Sequence, residues 1–122
     1  MGTSGVSKRR LLWAAGLCLL PWIAVLATTL PDTAVAQHWR LAWTGFDAAE
    51  ALGLLVTAWL LARTDPRAPL AATATATLLL ADAWFDVTTA GSDVGLSLLM
   101  AALEVPLALV CLSVARAVPA HV

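Results

Sequence analysis

Four long apolar runs, separated by short polar breaks, make up most of the chain. The first is LLWAAGLCLLPWIAVLATTL (11–30) and the second LAWTGFDAAEALGLLVTAWLLA (41–62). The third covers 70–90 and the fourth 94–115. Each is about 20 residues or longer, enough for a helix rising about 1.5 Å per residue to cross a hydrocarbon core of about 30 Å. The breaks PDTAVAQHWR, RTDPRAP and GSD contain the Pro, Gly and Asp of turns. Connections this short make consecutive helices antiparallel neighbours. The pattern predicts an all-α, polytopic membrane protein: one domain over 1–122, built as an antiparallel up-down bundle of four transmembrane helices.

Composition sharpens this picture. Of 122 residues, 61% are apolar and 12% charged, against roughly 45–50% and 25% in soluble domains. The net charge of -1 provides no field for nucleic acid, and none is expected as a partner. One Lys against six Arg, with abundant Ala, reads as a GC-rich bacterial coding bias. The first run has a rival reading, because SKRR, an apolar stretch and AVA (34–36) resemble a secretory signal with its cleavage site. Its apolar part exceeds the roughly 7–15 residues of such a signal, so a retained helix is expected.

Lys and Arg give the direction. With the N-terminus cytoplasmic, Lys8, Arg9, Arg10, Arg63, Arg67 and Arg116 all fall inside and only Arg40 outside, as the positive-inside rule requires. Both termini are then cytoplasmic, in a bacterial inner membrane. Trp13 and Trp59 fall near the inner interface and Trp39, Trp43 and Trp84 near the outer one, like aromatic belts. Trp22, near mid-span, is the exception.

The chemistry is concentrated in acids inside the apolar runs. Asp47 and Asp86 share an outer level, while Glu50, Asp82 and Glu104 share a level near the midplane. At 100° per residue the acids lie on single stripes: Trp43, Asp47, Glu50, Leu54 and Thr57 on helix 2; Thr75, Asp82, Asp86 and Thr89 on helix 3; Ser97, Glu104, Ala108 and Cys111 on helix 4. The three stripes are expected to converge on a cavity open to the outside. Asp47 and Asp86 would form its entrance, and Glu50, Asp82 and Glu104 the inner, metal-binding set. Helix 1 has no acid. Below the acids, Thr57 and Cys111 are the only polar residues expected on the stripes. Helix 2 also shows Gly45, Ala49 and Gly53 at small-xxx-small spacing, which suits close packing within the monomer or a homo-oligomer. Pro106 removes one backbone hydrogen bond just past Glu104.

An Asp at the centre of a span costs roughly 2.5–3.5 kcal/mol on insertion scales. Three such acids would add up to roughly 8–10 kcal/mol, comparable with the whole stability of many proteins. No Lys or Arg lies deep enough to neutralise them, and Arg40 reaches at most the rim. Either the acids hold protons, or a cation sits among them. Carboxylates without His or Cys favour Ca²⁺, Mg²⁺ or Mn²⁺ over softer metals, so no zinc is expected. Cys18 and Cys111 form no CxxC pair, and a disulfide or redox centre is not expected. His38 and His121 lie outside the apolar runs, which leaves no bis-histidine haem. No Ser–His or Cys–His nucleophile pair is visible, so the chain is not read as an enzyme. Asp-x-x-Glu and Asp-x-x-x-Asp spacings suit two metals, but the Glu-x-x-His pairs of di-iron bundles are absent. In length and helix count the chain resembles the small multidrug resistance transporters, which carry an essential Glu in the first helix; here that helix has none, and the resemblance stops at size. The leading expectation is cation binding in an outward-facing acidic cavity, for transport or sensing. The alternative is an accessory membrane subunit whose protonated acids hydrogen-bond the helices together.

Overall fold

The computed structural model describes residues 2–92 and 94–117. Asp93 of the last connection and His121 lie outside them. The chain is all-helical, with no strand among the described residues: α1 Gly2–Thr29, α2 Trp39–Ala62, α3 Ala68–Thr88 and α4 Val94–Arg116. All four helices are long and apolar enough to span a membrane. Two compact units are distinguished, residues 1–37 and residues 38–122. The first holds α1. It starts well before Leu11, because nothing between Gly2 and Arg10 interrupts a helix, and it continues through Pro21.

In the second unit α3 is the middle element, packed against both α2 and α4. Its buried face is Ala68, Ala72, Thr75, Ala76, Leu79, Asp82 and Ala83. From α4 it meets Ala108 and Cys111, which join Ala72, Ala76 and Leu79 in one buried apolar cluster. Small side chains are what let the backbones approach this closely. Large apolar residues point the other way: Leu55 is 68% exposed, Leu70 74% and Trp84 67%. A water-soluble domain buries such residues. Here small and polar groups are mostly inside and most leucines outside, with Leu60 and Leu79 the buried exceptions.

The connection between α2 and α3 is tightly built. Thr64 takes a left-handed φ of 48°. Its N–H donates to the Leu61 carbonyl at 3.0 Å, and the Asp65 N–H reaches back to Leu60 at 2.9 Å. This is the paired closure of a helix C-terminus that usually uses Gly. The Asp65 carboxylate then accepts the Arg67 backbone N–H at 2.9 Å and two guanidinium bonds at 3.0 and 2.9 Å. The Arg67 side chain holds the Asp65 carboxyl down from its ordinary 3.8 to about 2, and Asp65 in turn raises Arg67. Pro in the first turn of α3 suits the helix start. Arg63 lies over the Trp59 ring at 4.8 Å, a cation–π contact that ends α2. At the other end of α2, Trp39 and Trp43 meet edge to face with centroids 5.6 Å apart.

Helix bounds differ from expectation by a few residues. The third helix stops at Thr88 rather than 90, because Thr89 closes on the Phe85 carbonyl and Gly91 turns the chain at a φ of 59°. The second begins at Trp39 after His38, itself left-handed at 56°.

Candidate functional site

The acids gather around α3. Glu50 of α2, Asp82 of α3 and Glu104 of α4 are buried, at 6%, 2% and 6% exposure. Asp86 is half-buried and Asp47 exposed. Two close sets form. Asp47, Glu50 and Asp82 bring one carboxylate oxygen each to within 4.8 Å of one another, and so do Asp82, Asp86 and Glu104. Asp82 belongs to both.

Helical spacing explains both sets. Asp47 and Glu50 are three apart and Asp82 and Asp86 four apart, which places each pair on one face of its helix. The sequence places Glu50, Asp82 and Glu104 in one inner set. In the structure each close set instead joins one of the less buried acids to Asp82 and a buried glutamate. The reason is the packing: among the described residues α2 and α4 each pack against α3 but not against each other, so Glu50 and Glu104 each come close to Asp82 without sharing a set.

Three oxygens within these sets are buried without a hydrogen-bond partner: Glu50 Oε2, Asp82 Oδ1 and Glu104 Oε1. Buried polar atoms are nearly always paired. Leaving one unmade costs about 1–3 kcal/mol, and more for a charged group. No basic side chain relieves them: among the described residues the only ion pair is Arg67–Asp65, in the α2–α3 connection. Arg40 forms none with Asp47 or Asp86. Carboxylates that converge on one another without a cationic partner present the ligand set that hard cations take, several oxygens at about 2.0–2.6 Å from the ion.

Beyond the acids, along the α2–α3 seam, the path is filled. Thr57 donates to the Gly53 carbonyl at 2.7 Å, and Thr75 to the Ala71 carbonyl at 2.8 Å. Their hydroxyl oxygens come within 3.4 Å of each other. Gly53 makes this possible, since a Cβ there would fall 2.5 Å from Thr75 Oγ1. Gly53 therefore packs inside the monomer, whereas Gly45 meets nothing within 4 Å and Ala49 is exposed. Thr75, which the sequence puts on the helix 3 stripe two turns before Asp82, is a further polar group below the acids, and corrects the expectation that only Thr57 and Cys111 offer one there.

The chain matches no family model, no curated protein and no solved structure.

Proposed function

We propose that this is a multi-pass membrane protein of the bacterial inner membrane, with both termini cytoplasmic, whose acids on α2, α3 and α4 bind a cation. The observation behind this reading is the set of three buried carboxylate oxygens, on Glu50, Asp82 and Glu104, that lack any partner while lying within one ion's reach of other carboxylates. Ionisable groups inside membrane spans are expensive and usually functional. Asp82 holds the ion together with Glu50 or Glu104, and the less buried Asp47 and Asp86 complete the two close sets on their more open side. The ion is a hard divalent cation (Ca²⁺, Mg²⁺ or Mn²⁺) or a proton, since the ligands are all carboxylates. It is a binding protein rather than an enzyme.

Membrane insertion is supported by the outward leucines and inward small residues, the reverse of a soluble core. An antiparallel course for α2 and α3 is supported by the order of their neighbours. Asp82 lies beside Asp47 and Glu50, while the earlier Thr75 lies beside the later Thr57. The filled Thr57–Thr75 seam and the apolar cluster of Leu79, Ala108 and Cys111 favour one-sided binding, as in sensing or occlusion, over an open pore.

A second reading has its own support. Carboxyls within 4.8 Å of one another can hydrogen-bond pairwise when protonated, tying three helices together as in an accessory subunit. Each such bond in a membrane is worth about 0.6 kcal/mol on average.

Thermal melts in detergent separate the two. A cation that binds only the folded protein stabilises it by mass action, by roughly 2.7 kcal/mol at 100 times its dissociation constant. Several degrees of rise in Tm are expected with Ca²⁺, Mg²⁺ or Mn²⁺, more at pH 8 than at pH 5 because binding competes with protons. The rise is lost in Asp82→Asn, the acid common to both close sets, and weakened in Glu104→Gln and Asp47→Asn. If none of the three ions moves the melt at pH 8, the divalent site is abandoned in favour of protons or the accessory role.

A further inference from the structure

The five acids do not form one bowl. They form two sets that touch at a single residue, and the two sets are built alike. Each has one carboxylate open to the surroundings, Asp47 in one and the half-buried Asp86 in the other. Each has one buried glutamate with an unpartnered oxygen, Glu50 Oε2 or Glu104 Oε1. Each has Asp82, 2% exposed, with its own unpartnered Oδ1.

We infer that the acidic site is a pair of cation subsites sharing Asp82, so that two divalent ions bind side by side with the Asp82 carboxylate bridging them. This rests on the cation-binding reading proposed above and specifies its stoichiometry and its central ligand.

Three physical points lead to it. The first is size. Ligand oxygens about 2.0–2.6 Å from one ion lie up to about 4–5 Å from each other across it, so a set whose oxygens all lie within 4.8 Å of one another fits around one ion. Five acids arranged as two such sets hold two ions. The second is the chemistry of the shared group. An ionised carboxylate has two oxygens and about four lone-pair sites, so Asp82, on the middle helix, can face an ion on the α2 side and another on the α4 side. Ions held by bridging ligands sit about 3.5–4 Å apart. The third is charge. One divalent ion among five ionised carboxylates leaves three negative charges uncompensated, in a place where the only ion pair of the described residues is far along the chain at Arg67–Asp65. Two divalent ions leave one.

The test uses Mn²⁺ as the probe on the full chain in detergent at pH 8. Equilibrium dialysis counts ions per chain, and low-temperature electron paramagnetic resonance reports whether they are coupled. Two ions per chain with the exchange-coupled spectrum of a bridged pair are expected. Asp47→Asn and Asp86→Asn should each leave one ion with the spectrum of an isolated Mn²⁺. Asp82→Asn should abolish the coupling. If wild type binds one isolated ion that Glu50→Gln and Glu104→Gln both remove, the pair is overturned while the cation site stands. Two uncoupled ions in wild type overturn the bridge. If no Mn²⁺ binds, or if a chain with all five acids changed to their amides binds it equally, both the pair and the divalent-cation reading fall. Retained helical circular dichroism in the single variants shows that a lost ion is not a lost fold.

Discussion

The hydroxyls of Thr57 and Thr75 stand 3.4 Å apart across the buried seam between α2 and α3. Each sends its one proton to a carbonyl of its own helix, Thr57 to Gly53 and Thr75 to Ala71. What remains between the two oxygens is close contact rather than a strong bond, since a hydroxyl has a single donor. The seam is thus held by fit, and the fit depends on Gly53 having no side chain.

Gly53→Ala should therefore destabilise. Its Cβ would meet Thr75 Oγ1 at 2.5 Å and the Thr75 Cβ and Cγ2 at 3.3 Å, so α2 must shift away from α3. Overpacking of this kind costs about 1–3 kcal/mol. Gly45→Ala meets nothing within 4 Å and should be neutral or mildly stabilising, as Ala is the better helix former by about 1 kcal/mol. Melting temperatures of the two variants side by side check this; equal losses would mean that the α2–α3 seam is not as close as described.

Orientation is testable by labelling. In a chain with Cys18→Ala and Cys111→Ala, Thr33→Cys should react with an impermeant thiol reagent from outside the cell. Thr64→Cys, in the α2–α3 connection, should react only after the membrane is opened. The expectation follows from the six basic residues assigned to one side against Arg40 on the other. A reversed pattern would turn the acidic site to face the cytoplasm.

Asp82→Asn separates a cation ligand from a register pin. In chelator the variant should melt at or above the wild-type temperature, because an unpartnered buried carboxylate is replaced by a neutral group, and leaving a buried polar atom unsatisfied costs about 1–3 kcal/mol. With divalent ion added, wild type should overtake it. A variant that responds to the ion as strongly as wild type would remove Asp82 from the site.

Asp65 and Arg67 give a pH dependence outside the spans. The Asp65 carboxyl is lowered from 3.8 to about 2 by Arg67, so it binds protons less readily folded than unfolded. Its contribution is present above about pH 4 and is lost as pH falls toward 2. Asp65→Asn should flatten that part of the stability–pH curve, lying slightly below wild type at neutral pH and converging with it as pH falls toward 2. Because the Arg67 partner is exposed to solvent, the effect should also shrink with added salt. An unchanged curve between pH 4 and 2 would show that the pair does not form in solution.

Much of this protein was determined by its sequence alone. Apolar runs of about 20 residues broken by Pro, Gly and Asp determine four helices to within a few residues at most ends, because a backbone in an apolar setting must satisfy its hydrogen bonds within a helix. The start of α1 was the exception, since a change in polarity after Arg10 is not a helix boundary. Periodicity at 100° per residue also showed which acids share a face, since that depends only on the local helix. Which acids meet was left to tertiary structure. Whether Glu50 joins Glu104 or only Asp82 depends on how α2 and α4 are placed around α3, and no spacing within one helix encodes that. The same holds for Gly53: its motif allowed a close approach, but only the packing decided that the neighbour is Thr75. Asp82 is one acid among five in the sequence, and it becomes the acid common to both close sets only because its helix packs against the other two.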